Sequence, residues 1–228
     1  MKHAGKATQA ALRLLYWSLF LVVLLLFFGM LGRLLSQFFG EVALGLVLLW
    51  AVFGLFCFYF FRDPHPRVPK APTAIVSPAH GTVDLIDEVE EPLFLRGRCR
   101  RVSIFLSVLD VHVQNAPVAG RIALSQYTRG RFSNAMRTDS AASNENLFVG
   151  IESSEAVGER IGVRLIAGLI ARRIQPWFQL GDTVARGERL GLIQFGSRVE
   201  LYLPLSARVV VRVRAKVKGG ETVIAERG

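Results

Sequence analysis

Two long stretches without a single charge dominate the first quarter of this 228-residue chain. Nineteen residues separate Arg13 from Arg33, and twenty separate Glu41 from Arg62; all are uncharged and most are apolar. A helix needs roughly 20 such residues to cross the hydrocarbon core of a bilayer, so each stretch is expected to span a membrane. Only Arg33–Glu41 lies between them, which makes the pair a helical hairpin. A cleaved signal peptide fits poorly, because the apolar runs are too long, there are two of them, and no small-residue cleavage site follows the first. Lys2, Lys6 and Arg13 precede the first span, and Arg62, Arg67 and Lys70 follow the second. That bias is expected to hold both ends, and everything after residue 61, on the cytoplasmic face of the cell (inner) membrane.

Proline then marks a boundary. Five of the nine prolines fall within Pro64–Pro78. Lacking an N–H, proline stops a helix and stiffens an extended segment. The expected organisation is a two-helix anchor over 1–61, a Pro-rich linker over 62–78 and a globular domain over 79–228. The net charge is +10. Residues 1–61 hold four basic and one acidic side chain, or +3, leaving +7 for the remainder. A basic domain tethered to a membrane suits an anionic lipid surface, although a solvated basic surface explains the same charge. Nucleic acid is not expected, since no basic patch is interleaved with aromatics. Cys57 and Cys99 are too few for a disulfide framework and lack metal-ligand spacing, so no metal is expected.

The domain reads as mainly β. Short runs of alternating apolar residues recur between glycines and polar clusters, as in a barrel or sandwich. Strands are expected at Ala74–Ser77, Thr82–Ile86, Arg101–Leu106, Ile122–Tyr127, Leu147–Glu152, Ile161–Ile170, Thr183–Val184, Leu190–Gln194, Val199–Leu203 and Ala207–Val217. The last has the plainest alternation, with Val211, Val213, Ala215 and Val217 set between Arg212, Arg214 and Lys216. Gly181–Gly191 forms a pair of tight turns like those of biotinyl and lipoyl carrier domains. No lysine sits at its tip, which argues against a carrier role.

Three places could carry chemistry. In Gly191–Pro204, GLIQFGSRVELYLP, a Gly196-Ser197 pair interrupts two strand-like runs. It reads either as a β-bulge or as a self-cleavage site in which Ser197 attacks the Gly196 carbonyl. Asp110 and His112 are two residues apart and share one face of an extended chain. A carboxylate beside an imidazole raises its basicity and orients it for proton transfer, though a satisfied pair at a strand end has the same spacing. His80, in Ala79-His80-Gly81-Thr82, is a turn residue or a functional one. Asn144-Glu145-Asn146 is a turn or the polar wall of a pocket.

Together these segments resemble phosphatidylserine decarboxylase proenzymes in their short bacterial and archaeal form. The resemblance is carried by Phe195–Pro204 and Gly181–Gly191, then by Asp110-Val111-His112 with Ala116-Pro117 and Gly120. Phe61-Arg62-Asp63-Pro64, Ser77-Pro78-Ala79 with Gly81, and Asn144-Glu145-Asn146 add to it. It implies self-cleavage between Gly196 and Ser197 into a large chain, 1–196, and a small chain, 197–228, that stay together as a heterodimer. Ser197 would become a covalent pyruvoyl cofactor, which forms a Schiff base with the amine of phosphatidylserine and yields phosphatidylethanolamine after decarboxylation. His112 would transfer the proton and Asp110 would orient it. Asn144, Glu145 and Arg198 are the candidates for substrate binding. The chain departs from the family pattern twice: His80 stands where relatives carry Asp, and Asn115 where they carry a basic residue. A neutral imidazole is a competent base, so His80 is the candidate base for self-cleavage. Archaetidylserine or a related serine lipid is the alternative substrate, and an uncut, non-catalytic anchored homologue the alternative class. A homo-oligomer is compatible with the sequence.

Overall fold

The structure is a computed structural model that describes residues 5–32, 38–130, 144–168, 173–194 and 197–228. The chain divides into two compact units, Gly5–Asp63 and Pro64–Gly228.

The first unit is a pair of helices, α1 (Lys6–Gly32) and α2 (Phe38–Phe60). Both are long and apolar enough to cross a membrane. The Trp50 indole N–H donates to Ser18 Oγ at 2.7 Å, and that hydroxyl donates to the Leu15 carbonyl at 3.0 Å, so the polar groups at the helix contact satisfy one another. Leu12, Tyr16, Phe20, Leu48 and Leu55 point outward and are exposed. Helices that are apolar on every side suit lipid rather than water. The chain is thus membrane-associated through its N-terminal helices.

The second unit is mainly β. Its strands are β1 (Ala74–Val76), β2 (Gly81–Glu91), β3 (Gly97–Leu106), β4 (Val113–Asn115), β5 (Gly120–Thr128), β6 (Asn146–Ser153), β7 (Arg160–Ala167), β8 (Ile174–Pro176), β9 (Thr183–Val184), β10 (Arg189–Ile193), β11 (Ser197–Leu203), β12 (Arg208–Val209), β13 (Lys216–Val217) and β14 (Val223–Glu226). Eight of them form one antiparallel sheet in the order β13-β2-β3-β11-β7-β6-β5-β9, curled into a half-barrel. Two three-stranded sheets, β4-β10-β8 and β1-β14-β12, complete the unit.

Alternation sets the two faces of the large sheet. Val102, Ile104 and Leu106 of β3, Val199, Leu201 and Leu203 of β11, and Val163 and Leu165 of β7 all enter the main core. Their neighbours turn outward, yet β11 is buried along its whole length. A smaller cluster of Phe94, Cys99, Phe148 and Tyr202 covers this second face. Beside it the Glu200 carboxylate accepts from the Tyr202 hydroxyl at 2.5 Å and from Arg101 at 3.3 Å. Burial, reinforced by Glu200, pushes the Tyr202 hydroxyl well above its ordinary range. The Cys99 thiol is pushed up to about 11, first by burial and then by Glu91, so it is no nucleophile at neutral pH.

The expected strand Ala207–Val217 is corrected by the structure. It breaks into β12 and β13, which belong to different sheets, with Arg214 at a φ of 73° between them. Its alternation is that of an exposed turn: Arg212, Val213 and Arg214 all face solvent. Strands β4, β8 and β14 are short, and the sequence reading does not anticipate them. Each is formed by pairing with a partner far along the chain rather than by its own periodicity.

Candidate active site

Register in the large sheet brings distant segments to one end. Ser197, the first residue of β11, pairs with Leu106 at the end of β3 and with Ala167 at the end of β7. Asn146, the first residue of β6, pairs with Ile166 and with Thr128, the last residue of β5. Thr82, near the start of β2, pairs with Phe105. The three segments singled out in the sequence, around His80, Asp110–His112 and Asn144–Asn146, therefore gather at the end of the sheet where Ser197 lies.

Ser197 itself is fully buried. Its paired neighbours Leu106 and Ala167 belong to the apolar core, and its side chain shares their face. Ser197 Oγ makes no hydrogen bond among the described residues. Burying a hydroxyl without a partner costs roughly 1–3 kcal/mol, and such atoms cluster where chemistry needs them. Gly196 and Phe195 lie outside the described residues.

His112 is also fully buried. It follows the turn that leaves β3, and its main-chain carbonyl accepts from the Ile193 N–H at 3.2 Å and from Gln114 Nε2 at 2.7 Å. Its ring Nδ1 lies 2.9 Å from the main-chain oxygen of Asp110. A carbonyl only accepts, so Nδ1 carries the proton and Nε2 is the basic nitrogen. The orienting group is thus the backbone of Asp110, not its carboxylate. That carboxylate accepts from the N–H and the hydroxyl of Ser107 at 2.9 and 2.7 Å, closing the turn. Gln114, which the sequence reading passes over, is fully buried, and its Oε1 has no hydrogen bond among the described residues. The same two-residue step that links Asp110 to His112 would have reached it.

Asn144 and Glu145 are buried against the end of β7. Asn144 Nδ2 donates to the Ala167 carbonyl at 2.8 Å, and the Ala167 N–H donates to the Glu145 carbonyl at 2.9 Å. Since Ala167 pairs with Ser197, this segment lines the neighbouring strand. Arg198 points to the other face. Its guanidinium is 1% exposed and bonds Asp84 at 2.6 and 3.0 Å and Ser103 Oγ at 2.5 Å. A cation so engaged holds β11 to β2 and β3. Asp84→Ala should remove the carboxylate from a buried cation and cost about 3 kcal/mol, read as a lowered thermal midpoint in detergent.

His80 immediately precedes β2, and β3 separates β2 from β11, so its backbone stands two strand spacings, about 10 Å, from that of Ser197. Its ring lies beside Asn115 and Gly219. A Cβ added at Gly219 would come within 2.6 Å of Asn115 Oδ1 and 3.1 Å of His80 Cδ2, so only glycine leaves room for the two side chains. Asn115 is held by donation from its Nδ2 to the Gly187 carbonyl at 2.9 Å. His80 and Asn115, the two positions set apart in the sequence reading, are therefore neighbours in space. Among the described residues no group of three or more His, Cys, Asp or Glu could hold a metal ion.

These features are those of a β-domain with a buried serine, its hydroxyl unbonded among the described residues, at the head of a central strand. A family model described as phosphatidylserine decarboxylase matches residues 53–225. Phosphatidylserine decarboxylase proenzyme of Desulfotalea psychrophila is 43% identical over 171 residues, covering 75% of this chain and 79% of the relative. Those of Symbiobacterium thermophilum and Ruegeria pomeroyi are 44% and 40% identical, covering 82% and 86% of this chain and 85% and 93% of theirs. The chain belongs to the phosphatidylserine decarboxylase family.

Proposed function

We propose that this protein is a membrane-anchored proenzyme that cuts itself between Gly196 and Ser197 and then decarboxylates phosphatidylserine to phosphatidylethanolamine. The observation that carries the reading is Ser197 Oγ, buried and without a hydrogen bond among the described residues, at the first position of a strand between two others. On this reading Ser197 is the nucleophile that opens the Gly196 carbonyl. The residues present also fit a pyruvoyl group at position 197. Its small planar body would replace a side chain that forms no hydrogen bond, among Leu106, Ala167 and the Asn144–Glu145 segment. Bound there, the group supplies an electrophilic carbonyl and an electron sink for the decarboxylation.

The chain's own residues do the rest. Asp110 holds the His112 ring in one tautomer, so that Nε2 receives and returns a proton at the reacting carbon. Asn144 and Glu145 wall the site on the β7 side and position the serine headgroup. The domain is held on the cytoplasmic face by the basic residues that flank the helical hairpin. On this reading residues 1–61 are the anchor, 62–78 a Pro-rich linker that also lends β1 to the second unit, and 79–228 the catalytic domain, and after cutting the chain is a heterodimer of 1–196 and 197–228.

The test is the intact mass of the chain purified from membranes. Two pieces that meet between residues 196 and 197, the smaller blocked at its N-terminus, support the reading. A single uncut chain points to a non-catalytic anchored protein. His80 is the proposed base for the cut, set beside Asn115 at the same end of the sheet as Ser197. His80→Ala should slow the appearance of the small chain at least tenfold in a pulse-labelled time course. Cutting at the unaltered rate removes His80 from that role.

A further inference from the structure

The turn that carries His112 has a second, outward side. After Leu106 the chain reverses through Ser107-Val108-Leu109-Asp110. The turn is rigid: the Asp110 N–H donates to the Ser107 carbonyl at 3.0 Å, and the Asp110 carboxylate accepts both the N–H and the hydroxyl of Ser107. At its tip Val108 is 38% exposed and Leu109 63% exposed. Water-soluble turns at such positions usually carry Gly, Asn, Asp or Ser, so two adjacent aliphatic side chains make this tip an apolar point.

The surroundings say what that point meets. Lys216 Nζ lies 4.0 Å from Asp110 Oδ1 and is itself largely exposed. It belongs to the run Arg212-Val213-Arg214-Ala215-Lys216-Val217-Lys218, whose four cations are all exposed, with Lys218 3.8 Å from the Glu221 carboxylate that follows the run. An apolar tip beside a strip of cations matches a bilayer with anionic headgroups, in which the tip enters the acyl boundary and the cations stay at phosphate level.

We propose that the Ser107–Asp110 turn is a wedge that seats the active-site end of the sheet in an anionic bilayer, with Val108 and Leu109 below the headgroups and Lys216 among the lipid phosphates. Two residues separate Leu109 from His112, and His112 is tied to Asp110. Seating the wedge therefore sets the depth of His112 relative to the headgroup that it acts on. The inference rests on the lipid-enzyme reading for its purpose but not for its test, which needs no turnover.

Cys57 and Cys99 are both buried, so Leu109→Cys offers a single accessible thiol for a nitroxide label, with the labelled parent chain as blank. The full-length protein is reconstituted in vesicles of phosphatidylcholine and phosphatidylglycerol. Collision with oxygen, which concentrates in the bilayer, is compared with collision with a water-soluble nickel chelate. Val157→Cys is the control. It sits in the connection between β6 and β7, at the opposite end of the sheet, and is fully exposed. The oxygen-to-nickel ratio is expected to be several-fold higher at 109 than at 157. Equal ratios, or a nickel-accessible label at 109, overturn the proposal. So does a label at 109 shielded from both reagents, which would mean that protein, not lipid, covers the turn. Decarboxylase activity with a water-exposed turn would sink the wedge alone; a seated turn without activity would sink the enzymatic reading alone.

Discussion

Ser197→Ala is expected to give a chain that is folded, membrane-bound and uncut, running as one species of 25.3 kDa. The loss of cutting should be complete, because alanine offers no nucleophile. The fold should not suffer. The deleted hydroxyl is fully buried and makes no hydrogen bond among the described residues. Removing a buried polar atom that has no partner is close to neutral for stability, in contrast to removing one member of a bonded pair. The strand keeps its backbone pairing with Leu106 and Ala167 whatever the side chain. Mass spectrometry reads the first expectation and thermal unfolding in detergent the second. Cutting that persists in the variant would mean that another group attacks the chain, and the proposed origin of the cofactor would fall with it.

His112→Gln should separate maturation from turnover. Glutamine keeps most of the buried volume but cannot shuttle a proton near neutral pH. The main-chain carbonyl at 112 still accepts from Ile193 and Gln114, so β4 and β10 remain joined. The small chain is therefore expected to form at an ordinary rate, while decarboxylation falls by about 10²–10⁴-fold, the usual worth of a positioned acid–base group. The loss should appear in kcat more than in KM. A variant that decarboxylates within a factor of a few of the parent would displace His112 from proton transfer. One that fails to cut would move it into the maturation machinery.

How much of this was legible in the residues depended on range. The two helices were, because an uncharged run of membrane length has few other fates. Strand β11 was, because Val199, Leu201 and Leu203 alternate with Arg198, Glu200 and Tyr202 and both sets found cover. The same alternation misled at Ala207–Val217, where Ala207 and Val217 reach the core but Arg212, Val213 and Arg214 between them face solvent and the chain turns instead. At the site, the spacing of Asp110 and His112 pointed to the carboxylate, whereas the ring Nδ1 lies against the Asp110 main-chain oxygen and the carboxylate closes its own turn. The ion pair of Arg198 was hidden from any local reading because its partner, Asp84, lies 114 residues away. The closeness of His80 and Asn115 depended on Gly219 in the C-terminal segment, a contact that no local pattern encodes.

Strand β11 has a consequence for when this protein becomes active. It starts at Ser197 and lies between β3 and β7, and the residues after it are woven further in. Strand β13 pairs with β2, β14 pairs with β1, and Arg227 binds Glu155, Glu159 and the Pro72 carbonyl. A fragment of 32 residues could not assemble that network from solution, so the sheet must be complete before the backbone is opened. The proposed cut is then a certificate of folding issued by the molecule to itself. Copies that misfold never acquire the reactive group, and every copy that carries one has already passed the inspection.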